Sequence, residues 1–320
     1  MAPTDRRRWA FRGSVLGLVL ALLAACAPSE PPGAEPRRAG PADQASGSWA
    51  EQTHFLPVPE PGGATRLIYA RICRPPGEQP RRLVVINHGK ATQPSQRAAY
   101  RPPACDAEAV RWFLERGFAV ILPVRRGYGP SAGTLAELYP TCAPSRDYAT
   151  GALETARDIR AAIAYGTALP GVRPDGVVVV GQSAGGLGTV ALSSLNPPQV
   201  AALVNMAGGD GGHLNQVRHA VCQPPALVRA AGQFGATARL PMLWVYTAND
   251  SFFGPDLAAA MHRAYVDAGG RAQLAQLPAW GTDGHALFFG RGGSAVWGPL
   301  VESFLGLAPR AMVGSVLARP

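Results

Sequence analysis

Val177-Val178-Val179-Val180 runs directly into Gly181-Gln182-Ser183-Ala184-Gly185-Gly186. Four consecutive β-branched residues favour a strand buried on both faces, which requires structure packed above and below a sheet. The Gly-x-Ser-x-Gly that follows predicts a sharp turn from that strand into a helix. A serine lifted clear of a sheet edge in this way sits in a strained backbone conformation, and side chains two positions before or after it would block the turn. Gly181 and Gly185 leave that room, so Ser183 is the candidate nucleophile. The amide of Ala184, at the N-terminus of the new helix, can face a developing oxyanion. In a chain with 38 glycines the motif alone would read as one more glycine-rich turn; the valine run gives it meaning.

The rest of the chain alternates between the two secondary-structure periods. Residues 65–73 and 83–87 read as strands separated by Pro75-Pro76-Gly77, 108–116 as a helix stopped by Gly117, and 118–124 as the next strand. Residues 148–165 space Leu153, Ala156, Ile159, Ala162 and Ile163 along one helical face. Beyond the nucleophile, 200–206 and 241–247 read as strands, 255–268 as a helix, 272–277 as a short strand and 296–305 as a closing helix. This alternation predicts an α/β fold: a doubly wound, mostly parallel sheet flanked by helices. The intervening 209–239 mixes glycines with His213, His219 and Cys222 and is expected to form a small cap insertion. One folded domain, 49–309, accounts for all of these elements, and the tail 310–320 carries no signal.

An activated serine needs a base within hydrogen-bond reach and an acid to orient that base. After Ser183, one strand ends in Asn249-Asp250 and a later one leads into Asp283-Gly284-His285. Asp250 is placed at the C-terminal end of its strand, the edge where open α/β sheets bind ligands. Asp283 lies two residues from His285, and Asp256 falls where it would favour a helix dipole, so Asp250 is the preferred orienter. Trp280, Phe288, Phe289, Phe252 and Phe253 flank the acid and base; they could line an acyl pocket or pack the core. His213 and His219 lack a third ligand at suitable spacing, and no metal site is expected.

Residues 65–305 resemble the α/β-hydrolase superfamily, more narrowly its dienelactone-hydrolase-like branch and the serine-peptidase-like relatives. The resemblance rests on His88-Gly89-Lys90, Arg126-Gly127-Tyr128-Gly129-x-Ser131-x-Gly133, Gly181-Gln182-Ser183-Ala184-Gly185, Asn249-Asp250 and Gly284-His285. It implies a Ser183, Asp250, His285 triad acting on a small-molecule acyl substrate without a cofactor, and the backbone amide of Lys90 as the second oxyanion donor. It also makes His88 a loop-fixing residue, while the Lys90 side chain reads as a solvated lysine or a carboxylate binder. Two features depart from the pattern: dienelactone hydrolases proper use cysteine where Ser183 stands, and many relatives have Asp before Arg-Gly-Tyr-Gly, where this chain has Arg125.

The N-terminus predicts export. Arg6-Arg7-Arg8 and Arg12 precede an apolar run, 13–23, too short for a comfortable transmembrane helix. The run ends in Leu23-Ala24-Ala25-Cys26, which resembles a bacterial lipobox. The resemblance implies that 1–25 is a lipoprotein signal peptide, that Cys26 is lipidated, and that the protein meets a lipid bilayer in the bacterial cell envelope. Ala27 is not the aspartate associated with inner-membrane retention. Residues 26–48, rich in proline and without large apolar residues before Trp49, read as a disordered tether. The formal charge is +9; without 1–25, 26 Lys+Arg face 20 Asp+Glu, giving +6. No basic run in the remaining chain clusters with aromatics, so nucleic-acid binding is not expected. Cys73, Cys105, Cys142 and Cys222 allow two disulfides in three pairings in an oxidising compartment. Sheet position favours Cys105 with Cys142, leaving Cys73 and Cys222 open as buried thiols. The resulting expectation is an exported serine hydrolase, most simply an esterase. A peptidase or amidase of the same fold, and a non-catalytic binding scaffold, are the alternatives.

Overall fold

The computed structural model describes residues 38–91, 93–131, 133–135 and 142–308. The expected signal peptide, Cys26 and the tail 310–320 lie outside the described residues. Among the described residues nine strands form one sheet: β1 (Gly40–Pro41), β2 (Gln52–Pro59), β3 (Thr65–Cys73), β4 (Leu83–Asn87), β5 (Ala119–Pro123), β6 (Val177–Gln182), β7 (Val200–Met206), β8 (Met242–Thr247) and β9 (Ala272–Leu277). Their spatial order is β1-β2-β3-β5-β4-β6-β7-β8-β9. From β5 through β9 every pairing is parallel, whereas β1, β2 and β3 extend the sheet antiparallel. The helices are α1 (Pro94–Ala99), α2 (Glu108–Leu114), α3 (Tyr148–Thr167), α4 (Ala184–Ser193), α5 (Pro224–Gly235), α6 (Pro255–Asp267) and α7 (Ser294–Leu305).

The four valines of β6 divide between the two faces. Val177 and Val179 pack into a cluster with Ile159 of α3, Leu187 of α4, Leu227 of α5 and Met261 of α6. Val178 and Val180 join Val110 and Phe113 of α2 and Trp297 and Val301 of α7 on the other face. All four are fully buried, each contributing roughly 2 kcal/mol of apolar burial. This anchoring fixes where β6 ends, and therefore where Ser183 emerges.

β2 has no counterpart in the sequence reading, and its Pro57 and Pro59 are residues that strands usually confine to edges. They are tolerated because β1 covers only His54 and Phe55, leaving both prolines beyond that pairing. His54, Leu56 and Val58 point alternately into the core.

Three expectations need correction. Of the expected tether 26–48, the described part, 38–48, is not a free segment. Gly40 and Pro41 pair with Phe55 and His54, and the Asp43 carboxylate accepts from the Thr53 amide at 2.7 Å and hydroxyl at 2.6 Å. Backbone pairing and one carboxylate hold this stretch, so its lack of apolar residues was misleading. The cap 209–239 is also too long: its second half is α5, whose Leu227, Ala230, Ala231 and Phe234 are core residues. Finally, the disulfides are Cys73–Cys105 and Cys142–Cys222, not Cys105–Cys142. Cys73 and Cys105 share the cluster beneath α2, so the face of the sheet, rather than its edge, decides that pair.

Candidate active site

β6 delivers Ser183 at φ +56°, ψ −122°, a region that L-residues rarely occupy. The strain persists because the surroundings admit no other path. A Cβ on Gly181 would lie 2.1 Å from the Gly185 carbonyl oxygen, and one on Gly185 would lie 2.5 Å from that of His88. The Ser183 amide donates to Met206 O at 3.0 Å, while its carbonyl accepts from Leu187 N at 3.0 Å and Gly209 N at 3.1 Å. Ala184 is the first residue of α4, where an amide has no carbonyl partner within its own helix.

His285 arrives on a single 3₁₀ turn, Gly284–Ala286, after β9. Its Nδ1 lies 3.1 Å from each carboxylate oxygen of Asp250. Asp250 is fully buried just past β8, and its Oδ1 also accepts from the amides of Phe252 at 2.8 Å and Phe253 at 2.9 Å. A carboxylate so placed holds the imidazole with Nδ1 protonated and leaves Nε2 as the basic nitrogen. Phe252 stacks on the His285 ring at 4.2 Å and Phe253 meets it edge-on at 5.6 Å. Gln182, beside Ser183, donates from Nε2 to His285 O at 3.2 Å, tying the elbow to the histidine loop.

The two alternative acids have other tasks. Asp256 lies in the first turn of α6. Asp283 caps the histidine turn: it accepts from His285 N at 3.1 Å, Ser251 N at 3.1 Å and the Ser251 hydroxyl at 2.5 Å. Burial works against its ionisation, but those bonds outweigh it and hold the carboxyl below its ordinary value. With the Ser251 proton committed to Asp283, His213 Nε2 donates to Ser251 Oγ at 2.8 Å. The His213 ring lies flat on Phe252 at 3.6 Å. His213 is thus a supporting residue, while His219 is exposed. Among the described residues no three His, Cys, Asp or Glu side chains form a metal cluster.

The His88-Gly89-Lys90 loop packs against the elbow: a Cβ on Gly89 would lie 2.4 Å from Gln182 Oε1 and 3.1 Å from Ser183 Cβ. The Lys90 side chain is not a free surface lysine: it is 20% exposed and its Nζ pairs with Asp210 at 3.1 Å. His88 has its nitrogens engaged: Nδ1 donates to Gly89 O at 2.7 Å and Nε2 accepts from Arg125 N at 3.1 Å. It fixes the loop, as the resemblance implied.

No protein-family model matches the sequence, and no curated protein matches it. Solved structures do match. Acetyl xylan esterase 1 from Thermoanaerobacterium sp. JW/SL YS485 superposes with a TM-score of 0.55 at 16% identity, covering 85% of this chain and 88% of that one. Esterase Pf2001 from Pyrococcus furiosus gives 0.54 at 14%, covering 79% and 91%. An acylaminoacyl peptidase gives 0.57 at 14%, covering 82% of this chain and 43% of that one. The chain has the α/β-hydrolase fold.

Within the α/β-hydrolase fold the least anticipated residue is Arg125. It is 2% exposed, donates from Nη1 to His88 O and from Nη2 to Gly89 O at 3.4 Å, and so grips the loop that carries the Lys90 amide. Its neighbour Arg126 is bound by Asp158 of α3, Nε to Oδ1 at 2.7 Å and amide to Oδ2 at 3.0 Å. That pair anchors the turn after β5 to α3. The sequence signal for Arg125 was its departure from the family pattern, which says nothing about its partners.

Two hollows flank the elbow and share Gln182 and Phe289. One, of about 390 Å³, lies against Phe252, His285, Ala286 and Gly290. The other, of about 340 Å³, lies against His88, Lys90, Tyr100 and Arg101. Of the aromatic residues around the acid and base, Phe252 and Phe289 face the first hollow, whereas Phe253 and Phe288 are core residues and Trp280 packs beside the α2 and α7 cluster.

Proposed function

We propose that the protein is a serine hydrolase that cleaves an ester through an acyl-enzyme intermediate. The observation that carries this reading is the buried Asp250 gripping Nδ1 of His285 while Ser183 occupies a strained elbow tied to the same loop through Gln182. His285 Nε2 takes the Ser183 proton as Oγ attacks the acyl carbonyl. The amides of Ala184 and Lys90 receive the oxyanion. Collapse of the tetrahedral species breaks the bond to the leaving alcohol, which takes the proton from His285. Water then gives a proton to His285 as its oxygen attacks the acyl carbon; collapse breaks the bond to Oγ, which takes that proton from His285, releasing the acid and regenerating Ser183. The esterases of similar fold support an ester substrate; the acylaminoacyl peptidase of similar fold keeps an amide as the second reading.

We further propose export and lipid anchoring at Cys26, with the folded body at a membrane surface of a bacterial envelope. The sequence of residues 1–26 and two disulfides support this. Intact-mass measurement of detergent-solubilised protein after fluorophosphonate treatment tests both readings. One probe adduct on the wild type and none on Ser183→Ala is expected, together with the mass of a chain that starts at an acylated Cys26. Folded wild type that takes no adduct refutes the hydrolase. Comparing p-nitrophenyl esters with peptide anilides then separates ester from amide hydrolysis.

A further inference from the structure

The sheet edge opposite the nucleophile gathers four arginines. Arg81 and Arg82 precede β4, Arg116 precedes β5 and Arg173 precedes β6, three strands that lie side by side in the sheet. With Pro80, Phe118 and Leu307 they line an open hollow of about 260 Å³ to which no acidic residue contributes. The backbones around it are cross-linked: Arg81 N donates to Gly171 O at 2.9 Å, Arg173 N to Arg81 O at 2.8 Å and Ala119 N to Arg82 O at 2.9 Å.

The charges there are incompletely offset. Arg116 pairs with Glu302 at 2.5 Å and Arg173 with Asp175 at 3.1 Å. Arg81 donates to Pro76 O at 2.9 Å and Arg82 to Gly176 O at 3.0 Å, both backbone carbonyls that carry no counter-charge. The Arg81 Nε is buried without a partner. Burial, then the charge of Arg173, pulls the Arg82 guanidinium below its ordinary value against a smaller opposing effect of Asp175, so Arg82 and Arg173 repel one another.

We propose that this hollow is a binding site for a phosphate-type oxyanion, either free or carried on a lipid headgroup. Guanidinium forks match tetrahedral and planar oxyanions better than any other side chain, and a multiply charged anion would relieve the repulsion. The site is independent of the hydrolytic centre, whose Ser183, Asp250 and His285 all follow the C-terminal ends of their strands.

The test is calorimetric titration of inorganic phosphate into the full chain in detergent, against chloride at equal ionic strength. Wild type is compared with Arg173→Gln, whose side chain is 48% exposed, and with Arg81→Gln/Arg173→Gln. Phosphate-specific heat is expected in the wild type, with binding weakened at least about fivefold in the single variant and lost in the double. Near-ultraviolet circular dichroism confirms that the variants are folded. Flotation with phosphatidylglycerol/phosphatidylcholine vesicles against phosphatidylcholine alone identifies the source. An excess on the anionic vesicles that the double variant loses supports the headgroup; phosphate binding without that excess supports a free anion. Phosphate heat no larger than that of chloride, or equal in wild type and folded variants, overturns the proposal.

Discussion

In the proposed mechanism Arg125 acts without touching the reacting groups. Burying a guanidinium is costly, and here the return is a grip on the carbonyls of His88 and Gly89, immediately before the Lys90 amide. Arg125→Met should let that loop relax and misplace one oxyanion donor, a contribution worth roughly 3 kcal/mol where such donors have been removed elsewhere. The expected result is a fall in kcat of about a hundredfold with KM little changed, and partial recovery in Arg125→Lys, which keeps the charge but not the fork. Steady-state ester kinetics check this; equal losses in kcat and affinity would count against it. Asp250→Asn should be harsher, with kcat lower by about four orders of magnitude, because the amide favours the wrong tautomer of His285. The placement of Ser183, Asp250 and His285 was legible from the sequence because each follows a strand in chain order. Arg125 was not, since its partners are backbone carbonyls of a loop 36 residues earlier.

At the scale of the element, the 3₁₀ turn bearing His285 is held by a carboxylate and is therefore sensitive to acid. Asp283 receives the Ser251 and His285 amides and the Ser251 hydroxyl, and these bonds keep its carboxyl below the ordinary value despite partial burial. A carboxyl with a depressed folded value binds fewer protons than its unfolded counterpart, so its stabilisation is complete above the ordinary carboxylate range, about pH 4, and is lost as pH falls through the folded value. The urea midpoint of the wild type should therefore exceed that of Asp283→Asn at pH 6, and the gap should narrow on acidification to pH 3. A gap independent of pH would mean that the carboxylate charge does not hold the turn. Sequence pattern did locate this turn, through Gly284 and the strand before it, yet left the role of Asp283 open. It misread α5 for a related reason: the glycines and polar residues at 208–223 are a loop, but the helix that follows is as apolar along one face as any core helix. Composition averaged over the whole stretch concealed that boundary.

Across the whole molecule, the two disulfides join parts of the chain that the sheet leaves far apart in sequence. Cys73–Cys105 closes 32 residues between β3 and the approach to α2, and Cys142–Cys222 closes 80 between the approach to α3 and the loop before α5. In the chain-entropy account, loops of these lengths contribute about 4 kcal/mol each by restricting the unfolded state. Against a typical domain stability of about 5–15 kcal/mol, losing both would leave little margin. The protein should therefore fold stably only where thiols are oxidised, which agrees with the export proposed above. Cys73→Ser/Cys105→Ser and Cys142→Ser/Cys222→Ser should each lower the urea midpoint clearly, and the second pair should also raise KM, because Cys222 N bonds Gly211 O in the loop whose Gly209 N bonds Ser183 O and whose Asp210 holds Lys90. Adding reductant to the wild type should reproduce the combined loss of stability. If reductant leaves the midpoint unchanged while alkylation shows the thiols to be free, the fold stands on its sheet and helices alone, and the disulfides cease to support an oxidising compartment.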